Sequence, residues 1–200
     1  SEEADKTVLS EAHLEQSKSW FQQSLIRELF DFRGIRRQFE QTNRVFLENE
    51  HTLQPASYQQ FKAIDALFFP EVFTVSEKFK PQIEAYFVGQ AGLPEANGEL
   101  QARIQKASAY FEEKLDKTLL PALKNVPILT DNKTVRKSAS DALDNLRKEI
   151  FVKKRCFGAC GAAFSAAHYL RAKADAEIDF QQAQMVPPPP GDPWGVPPNT

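Results

Sequence analysis

Basic side chains are the residues of this chain whose type and spacing could bind a ligand. Residues 133–155 hold eight Lys or Arg side chains against three carboxylates, and two further cations follow on the next segment. Nine of them are the candidate nucleic-acid-binding residues: Arg136, Lys137, Arg147, Lys148, Lys153, Lys154, Arg155, Arg171 and Lys173. Cations at this density can neutralise nucleic-acid phosphates and release counterions, which makes such binding salt-dependent. The segment therefore predicts a nucleic-acid contact.

The same charges are also typical of an ordinary solvent-exposed helix face. Asp144–Lys148 and Glu149–Lys153 are spaced four residues apart, which suits ion pairs within one helix. The whole chain has a net charge of −2, which is not typical of a dedicated nucleic-acid binder. Both interpretations stay open at the level of sequence.

A second, smaller basic group lies earlier in the chain. Arg33, Arg36 and Arg37 are flanked by Phe32 and Phe39, a combination of cations and aromatic rings that could also contact nucleic acid. The spacing is equally that of the polar flank of an amphipathic helix, and we favour this second interpretation.

Few residues suit catalysis or metal binding. Cys156 and Cys160 are four residues apart and His168 follows, but a structural zinc site needs a fourth ligand that the sequence does not supply. We expect the two thiols to fill a tight helix contact. The glycines form neither a phosphate-binding loop nor a dinucleotide-binding motif. We therefore expect no catalytic residue, no cofactor and no metal in this chain by itself.

The aromatic residues predict the fold class. Most of the 16 Phe rings recur at helical spacing rather than in alternation, which favours an all-α protein. We expect an irregular bundle of about six to eight helices. The first long apolar stripe consists of Phe21, Leu25, Leu29, Phe32, Ile35, Phe39 and Phe46.

Prolines, glycines and polar residues predict where the helices begin and end. We expect helices over 10–31 and 34–50 to meet near Gly34, and a later helix over 98–120 to start at an Asn97 cap. Pro70 is predicted to end one helix and to start the next, and Pro121 to end another, because proline lacks the backbone N–H that continues a helix but suits a first turn. Thr134 is the predicted cap of a long helix that ends near Gly158 and Gly161. Ser165 is predicted to begin the last helix, whose apolar side would carry Tyr169, Leu170 and Ile178.

The chain divides by composition into a helical domain over 1–184 and a proline-rich segment over 185–200. Seven of the last 16 residues are proline, which predicts an extended linker or tail. Trp194 lies within this segment, and we expect it to dock on the helical domain or on a partner. A sub-boundary near 88–98 would divide the helical domain into two cores, a question the sequence leaves open.

The apolar runs are far shorter than the ~20 residues of a membrane-spanning helix, and the chain opens without a signal-peptide pattern. We therefore expect a cytoplasmic protein with no membrane partner. The chain begins with Ser1 rather than Met, which predicts an excised or processed piece of a longer protein.

Three stretches resemble a known family: residues 25–32 (LIRELFDF), 100–111 (LQARIQKASAYF) and 164–174 (FSAAHYLRAKA). In this order they resemble the helical region that follows the motor in bacterial superfamily-one DNA helicases of the RecD-like class. The resemblance implies an accessory module beside a motor domain in the same parent chain. The ATP and magnesium residues of the family lie in the motor, so none is assigned here.

Three functions remain as hypotheses. The leading one is a non-catalytic accessory domain of a bacterial DNA helicase that binds nucleic acid weakly or positions a partner. The rival is a helical protein–protein interaction scaffold without a nucleic-acid role. One contiguous basic patch would favour the first, and dispersed cations paired with carboxylates would favour the second. An unrecognised enzyme, which would need a buried pocket with titratable groups, ranks last.

Overall fold

The computed structural model describes residues 2–89 and 93–185, and every regular element in these ranges is helical, which confirms the all-α prediction. The α-helices are α1 (Glu2–Leu29), α2 (Arg33–Glu48), α3 (Pro55–Phe68), α4 (Thr74–Gly89), α5 (Gly98–Glu113), α6 (Leu120–Lys124), α7 (Lys133–Cys160) and α8 (Ala166–Met185). A first π turn, Phe69–Phe73, joins α3 to α4, and a second π turn, Lys114–Leu119, joins α5 to α6. The predicted tail beyond Met185, with Trp194, lies outside the described residues.

The break between α1 and α2 lies at residues 30–32, just ahead of the predicted joint at Gly34. Asp31 stabilises the turn, because its carboxylate accepts hydrogen bonds from the backbone N–H of Arg33 at 3.0 Å and from the Arg33 guanidinium. Burial alone would raise the pKa of Asp31. The hydrogen bonds from Arg33 and the charge of Lys80 instead hold that pKa well below its usual range.

Pro70 follows the end of α3 at Phe68 and lies in the first turn of the next element, as predicted, whereas the prediction that Pro121 ends the helical segment is wrong. Pro70 lies inside the first π turn, and Pro121 lies in the first turn of α6, directly after the second π turn. A proline clashes with the carbonyl one turn before it, and the wider π turn changes the backbone at that point. The chain thus continues in helical form from 55 to 89 and from 98 to 124.

One predicted helix cap is confirmed and another is wrong. The Asn97 side chain accepts a hydrogen bond from the Leu100 N–H at 3.0 Å at the start of α5. The cap of α7 is Asn132 rather than Thr134, since its Oδ1 accepts from the N–H groups of Thr134 and Val135. Asn is among the strongest cap residues, and its position allows α7 to begin earlier, at Lys133.

One contiguous apolar core extends from Leu25 to Tyr169. Four fully buried rings lie in contact within it: Phe30 and Phe32 from the α1–α2 turn, Phe111 from α5 and Phe157 from α7. Ring centroids are 5.4 Å apart for Phe30 and Phe157, 5.2 Å for Phe32 and Phe111, and 5.3 Å for Phe111 and Phe157. These contacts hold the turn, α5 and α7 together.

The buried face of α8 differs from the prediction. Tyr169, Ala176 and Phe180 are buried, at steps of seven and four residues, whereas Leu170 and Ile178 are 44% and 52% exposed. The seven-and-four spacing is that of one helix face, and Leu170 and Ile178 lie off it. The prediction for Leu170 and Ile178 is therefore wrong.

Across the described residues, we find no helix whose length and apolar character together would let it cross a membrane.

Replacing Phe157 by Ala should lower the free energy of unfolding by about 3–5 kcal/mol, because it leaves a cavity where three other rings meet. Chemical denaturation of both proteins measures the change. Leu170→Ala is the matched control, and its 44% exposed side chain should change stability by less than about 0.5 kcal/mol. Equal losses in the two variants would contradict the assigned core.

Candidate nucleic-acid interface

Helices α7 and α8 carry all nine predicted basic residues, but the fold does not gather them into one patch. Lys148, Lys153 and Lys173 line a cleft of about 610 Å³ between α2, α7 and α8. Lys154, Arg155 and Arg171 lie along a second, shallow depression, together with His168. Arg147 lines a third, beside Phe151 and Phe180. Arg136 and Lys137 lie near the start of α7, outside all three.

Six of the nine cations form ion pairs with carboxylates. The pairs are Lys137–Asp141 at 2.9 Å, Arg147–Asp144 at 3.4 Å, Lys154–Asp116 at 3.3 Å, Arg155–Asp179 at 2.5 Å, Arg171–Asp175 at 3.7 Å and Lys173–Glu28 at 2.6 Å. The predicted pair Asp144–Lys148 is replaced by Asp144–Arg147. A paired cation offers less charge to an incoming phosphate. The surface formed by these nine residues is therefore less positively charged than their number in the sequence implies.

Lys153 is half-buried, and its amino group makes contacts within the fold. Its Nζ donates to the Glu28 carbonyl at 2.6 Å and lies 5.8 Å from the centroid of the Phe32 ring. Burial lowers the pKa of Lys153 to about 8, although the nearby Glu28 and Asp31 charges oppose the shift. Its contacts therefore brace the end of α1 against α7.

The remaining two predicted cations differ in exposure and in partners. Arg136 is exposed but donates a hydrogen bond to the Thr130 carbonyl. Lys148 is half-buried at the rim of the cleft, and within residues 2–89 and 93–185 it has neither a hydrogen bond nor an ion pair. Of the nine, Lys148 is the one with neither a hydrogen bond nor an ion pair in the part of the chain that the structure describes.

The cleft itself is electrically balanced. Four basic side chains face four acidic ones along its lining: Arg37, Lys148, Lys153 and Lys173 against Glu28, Asp31, Glu149 and Glu177. Burial raises the pKa of Glu149, although the charges of Arg37 and Lys153 oppose the shift. A cleft with this balance is not built to select an anion by charge alone.

The two cysteines are buried and reduced. Burial raises the pKa of Cys156 to about 11 and that of Cys160 to about 12, so both thiols are neutral at physiological pH. In the ranges that the structure describes, no three His, Cys, Asp or Glu side chains converge closely enough to bind a metal ion. The thiols thus pack as small apolar groups.

The solvent face of α2 is a cationic surface that the sequence reasoning placed second. Arg33, Arg37 and Arg44 follow one another at steps of four and seven residues, which aligns them on one exposed face. Within the described ranges, Arg37 and Arg44 have no hydrogen bond or ion pair. Arg44 was missed, although its spacing from Arg37 in the sequence could have revealed it.

The other feature that the sequence did not reveal is a contact between α2 and the first π turn. The Arg36 guanidinium lies over the rings of Phe69 and Phe73, at 5.4 and 4.9 Å from their centroids. Both rings are more than 30 positions from Arg36 in the sequence, so only the packing of α2 against the π turn brings them together.

Three large apolar side chains of α1 that precede Leu25 are exposed. Leu14, Trp20 and Phe21 are each more than half exposed. The prediction that Phe21 belongs to the core stripe is wrong, because Leu25 is the first buried side chain among those of α1 that the structure describes.

A family model described as "DNA helicase, middle domain" matches residues 13–180. The chain belongs to the DNA helicase middle-domain family. The match confirms the predicted association with DNA helicases, while the superfamily-one, RecD-like assignment and the position after the motor stay predictions. No curated protein and no solved structure matches the chain significantly.

The stability of this helicase middle domain should depend on the Lys153 amino group at alkaline pH. The unfolded chain keeps this proton up to about pH 10.5, whereas the folded chain releases it near pH 8. Between these values the unfolded state binds more protons, so rising pH favours the folded state. Between about pH 8 and pH 10.5, the free energy of unfolding of the wild type should therefore increase relative to that of Lys153→Met.

Denaturation titrations at a series of pH values measure the difference, with Lys173→Met as the control. The hydrogen bond from Lys173 to Glu28 raises the pKa of Lys173. The stability that the charged Lys173 contributes should therefore be lost only at pH values above its ordinary pKa of 10.5. A wild-type advantage over Lys153→Met that stays constant with pH would contradict the burial of Lys153.

Proposed function

We propose that this chain is a non-catalytic accessory domain that positions DNA beside the motor of a superfamily-one, RecD-like helicase. The observation that carries the proposal is the match to the DNA helicase middle domain over residues 13–180. A domain in the middle of a helicase has neighbouring regions of the same parent chain, and we infer that the motor is one of them. In this proposal the motor hydrolyses ATP, and this chain contributes no catalytic group and no cofactor. We place the protein in the cytoplasm.

The proposed DNA contact is weak. Phosphate binding depends on cations that can exchange their partners for DNA, and six of the nine candidate cations already pair with carboxylates. Exposed ion pairs are worth little, about 0–1 kcal/mol, so DNA can compete for them. We therefore expect micromolar, salt-sensitive binding.

The competing proposal is a protein-interaction scaffold. Two observations favour it: the internal pairing of the cations and the exposed apolar side chains Leu14, Trp20 and Phe21 on α1. Exposed apolar patches often mark protein contacts. The two proposals differ in one measurable property, which is whether the isolated chain binds DNA at all.

Fluorescence-anisotropy titrations with labelled single- and double-stranded DNA at two salt concentrations test the proposal. The wild type should bind at low salt and weaken as salt rises. In the triple variant Lys148→Ala, Arg155→Ala, Arg171→Ala the dissociation constant should rise. The salt dependence should also flatten, by about one unit of slope for each phosphate that the variant no longer neutralises.

The control is a triple variant that removes the same charge elsewhere, at Lys62, Lys106 and Lys117, which are exposed on other elements. Equal weakening in both triple variants would show that only net charge matters and would remove the assignment to α7 and α8. If the wild type shows no binding at low salt, the DNA role fails and the scaffold proposal takes its place.

A further inference from the structure

The Arg36 guanidinium forms the top of a small platform. It covers the rings of Phe69 and Phe73, which contact each other edge to face at 5.7 Å, and it lies 3.4 Å from the Glu40 carboxylate. The Arg36 side chain is 49% exposed, so solvent reaches the guanidinium. We name this arrangement of Arg36 over Phe69 and Phe73 the Arg36 platform.

Contacts with the core hold the rings of the Arg36 platform in place. Phe69 packs against Phe39 at 6.0 Å and against Phe68 at 5.3 Å, and both of these rings are buried. The Thr74 hydroxyl donates to the Phe69 carbonyl at 2.9 Å. The rings that orient Arg36 are therefore held in place before any ligand arrives.

The second π turn braces the first. Lys114 pairs with the Glu71 carboxylate at 3.2 Å, and the Tyr110 hydroxyl donates to the Glu71 carbonyl at 3.0 Å. A π turn disturbs the regular hydrogen-bond ladder, and Tyr110 satisfies one carbonyl within it. Such turns occur frequently at functional sites, and here the turn supplies both rings of the platform.

Helix α2, which presents the Arg36 guanidinium, is cationic. Helix α2 carries four Arg against two Glu, a net charge of +2. Two of its carboxylate neighbours are already engaged, Asp31 with Arg33 and Glu40 with Arg36. Arg37 and Arg44 remain unpaired in the described ranges and can meet phosphates along the same helix.

We propose that the Arg36 platform and the solvent face of α2 form a contact for single-stranded DNA. A base stacks on the Arg36 guanidinium, and the flanking phosphates lie along Arg37 and Arg44. Arginine planes and aromatic rings stack unpaired bases, and bases inside a duplex are not available for such stacking. The inference rests on the proposed DNA contact of this domain and adds to the α7–α8 cations a stacking site for unpaired bases on α2.

A comparison of two oligonucleotides isolates the stacking. Anisotropy is measured with an oligothymidine and with a strand of equal length whose sites are abasic, so that the phosphates are kept and the bases are removed. The wild type should bind the oligothymidine about fivefold more tightly, the size expected for one stacked base. Arg36→Gln should remove this preference, and so should Arg36→Gln combined with Phe73→Leu.

The matched control is a second arginine stacked on an aromatic ring. The Arg103 guanidinium lies over Tyr86 at 4.9 Å, with Glu99 at 4.0 Å, so Arg103→Gln with Tyr86→Leu makes the same chemical change away from α2. This variant should keep the preference for bases. Circular dichroism and thermal unfolding check that each variant folds, and single Arg36→Gln leaves both rings in place.

The outcomes separate this inference from the proposed function. If the wild type binds both strands equally, or if Arg36→Gln keeps the preference for bases, the stacking site is overturned while a DNA role stands. If the wild type binds neither strand at low salt, the site and the DNA role are both overturned. Loss of the preference in the Arg103 control as well would likewise overturn the assignment to Arg36.

Discussion

The packing of four phenylalanine rings against one another is the constraint on which the rest of the structure depends. Phe30 and Phe32 enter the core from the same short turn, and Phe111 and Phe157 meet them from α5 and α7. Two rings so close in sequence can both point into the core only if α1 ends and α2 continues in a different direction. The Asp31 carboxylate between them remains near the surface, where hydrogen bonds from Arg33 stabilise the turn.

This packing also decides what the basic residues can do. Once α7 is fixed against the turn and α5, Lys154 lies beside Asp116, and Lys173 on α8 lies beside Glu28. Such ion pairs contribute little to stability when they are exposed. Their main effect is electrostatic, because each one cancels a charge that DNA would otherwise meet. The basic residues of α7 are thus dense in the sequence, but carboxylate partners cancel much of their charge on the folded surface.

Local patterns made most of the fold predictable, and long-range contacts made the rest unpredictable. Helical spacing of apolar residues identified the buried face of α2, and the Asn97 cap could be predicted because it acts within one helical turn. The prediction for Pro121 was wrong because the backbone widens into a π turn just before this proline, so the chain stays helical beyond it. The pair of Lys173 and Glu28 spans 145 residues, and no local pattern predicts it.

The comparison of α7 with α2 shows why the number of cations is a poor guide to a binding surface. A useful cation is exposed, lacks an internal partner and is held in one orientation. Most basic residues of α7 fail the second condition, whereas Arg37 and Arg44 on α2 meet the first two. Arg36 meets the first and third, because its guanidinium lies over two rings that the core holds in place, and its one carboxylate partner, Glu40, is itself exposed. A sequence can display charge density, but only packing supplies orientation, so the smaller basic group is the better-built surface of the two.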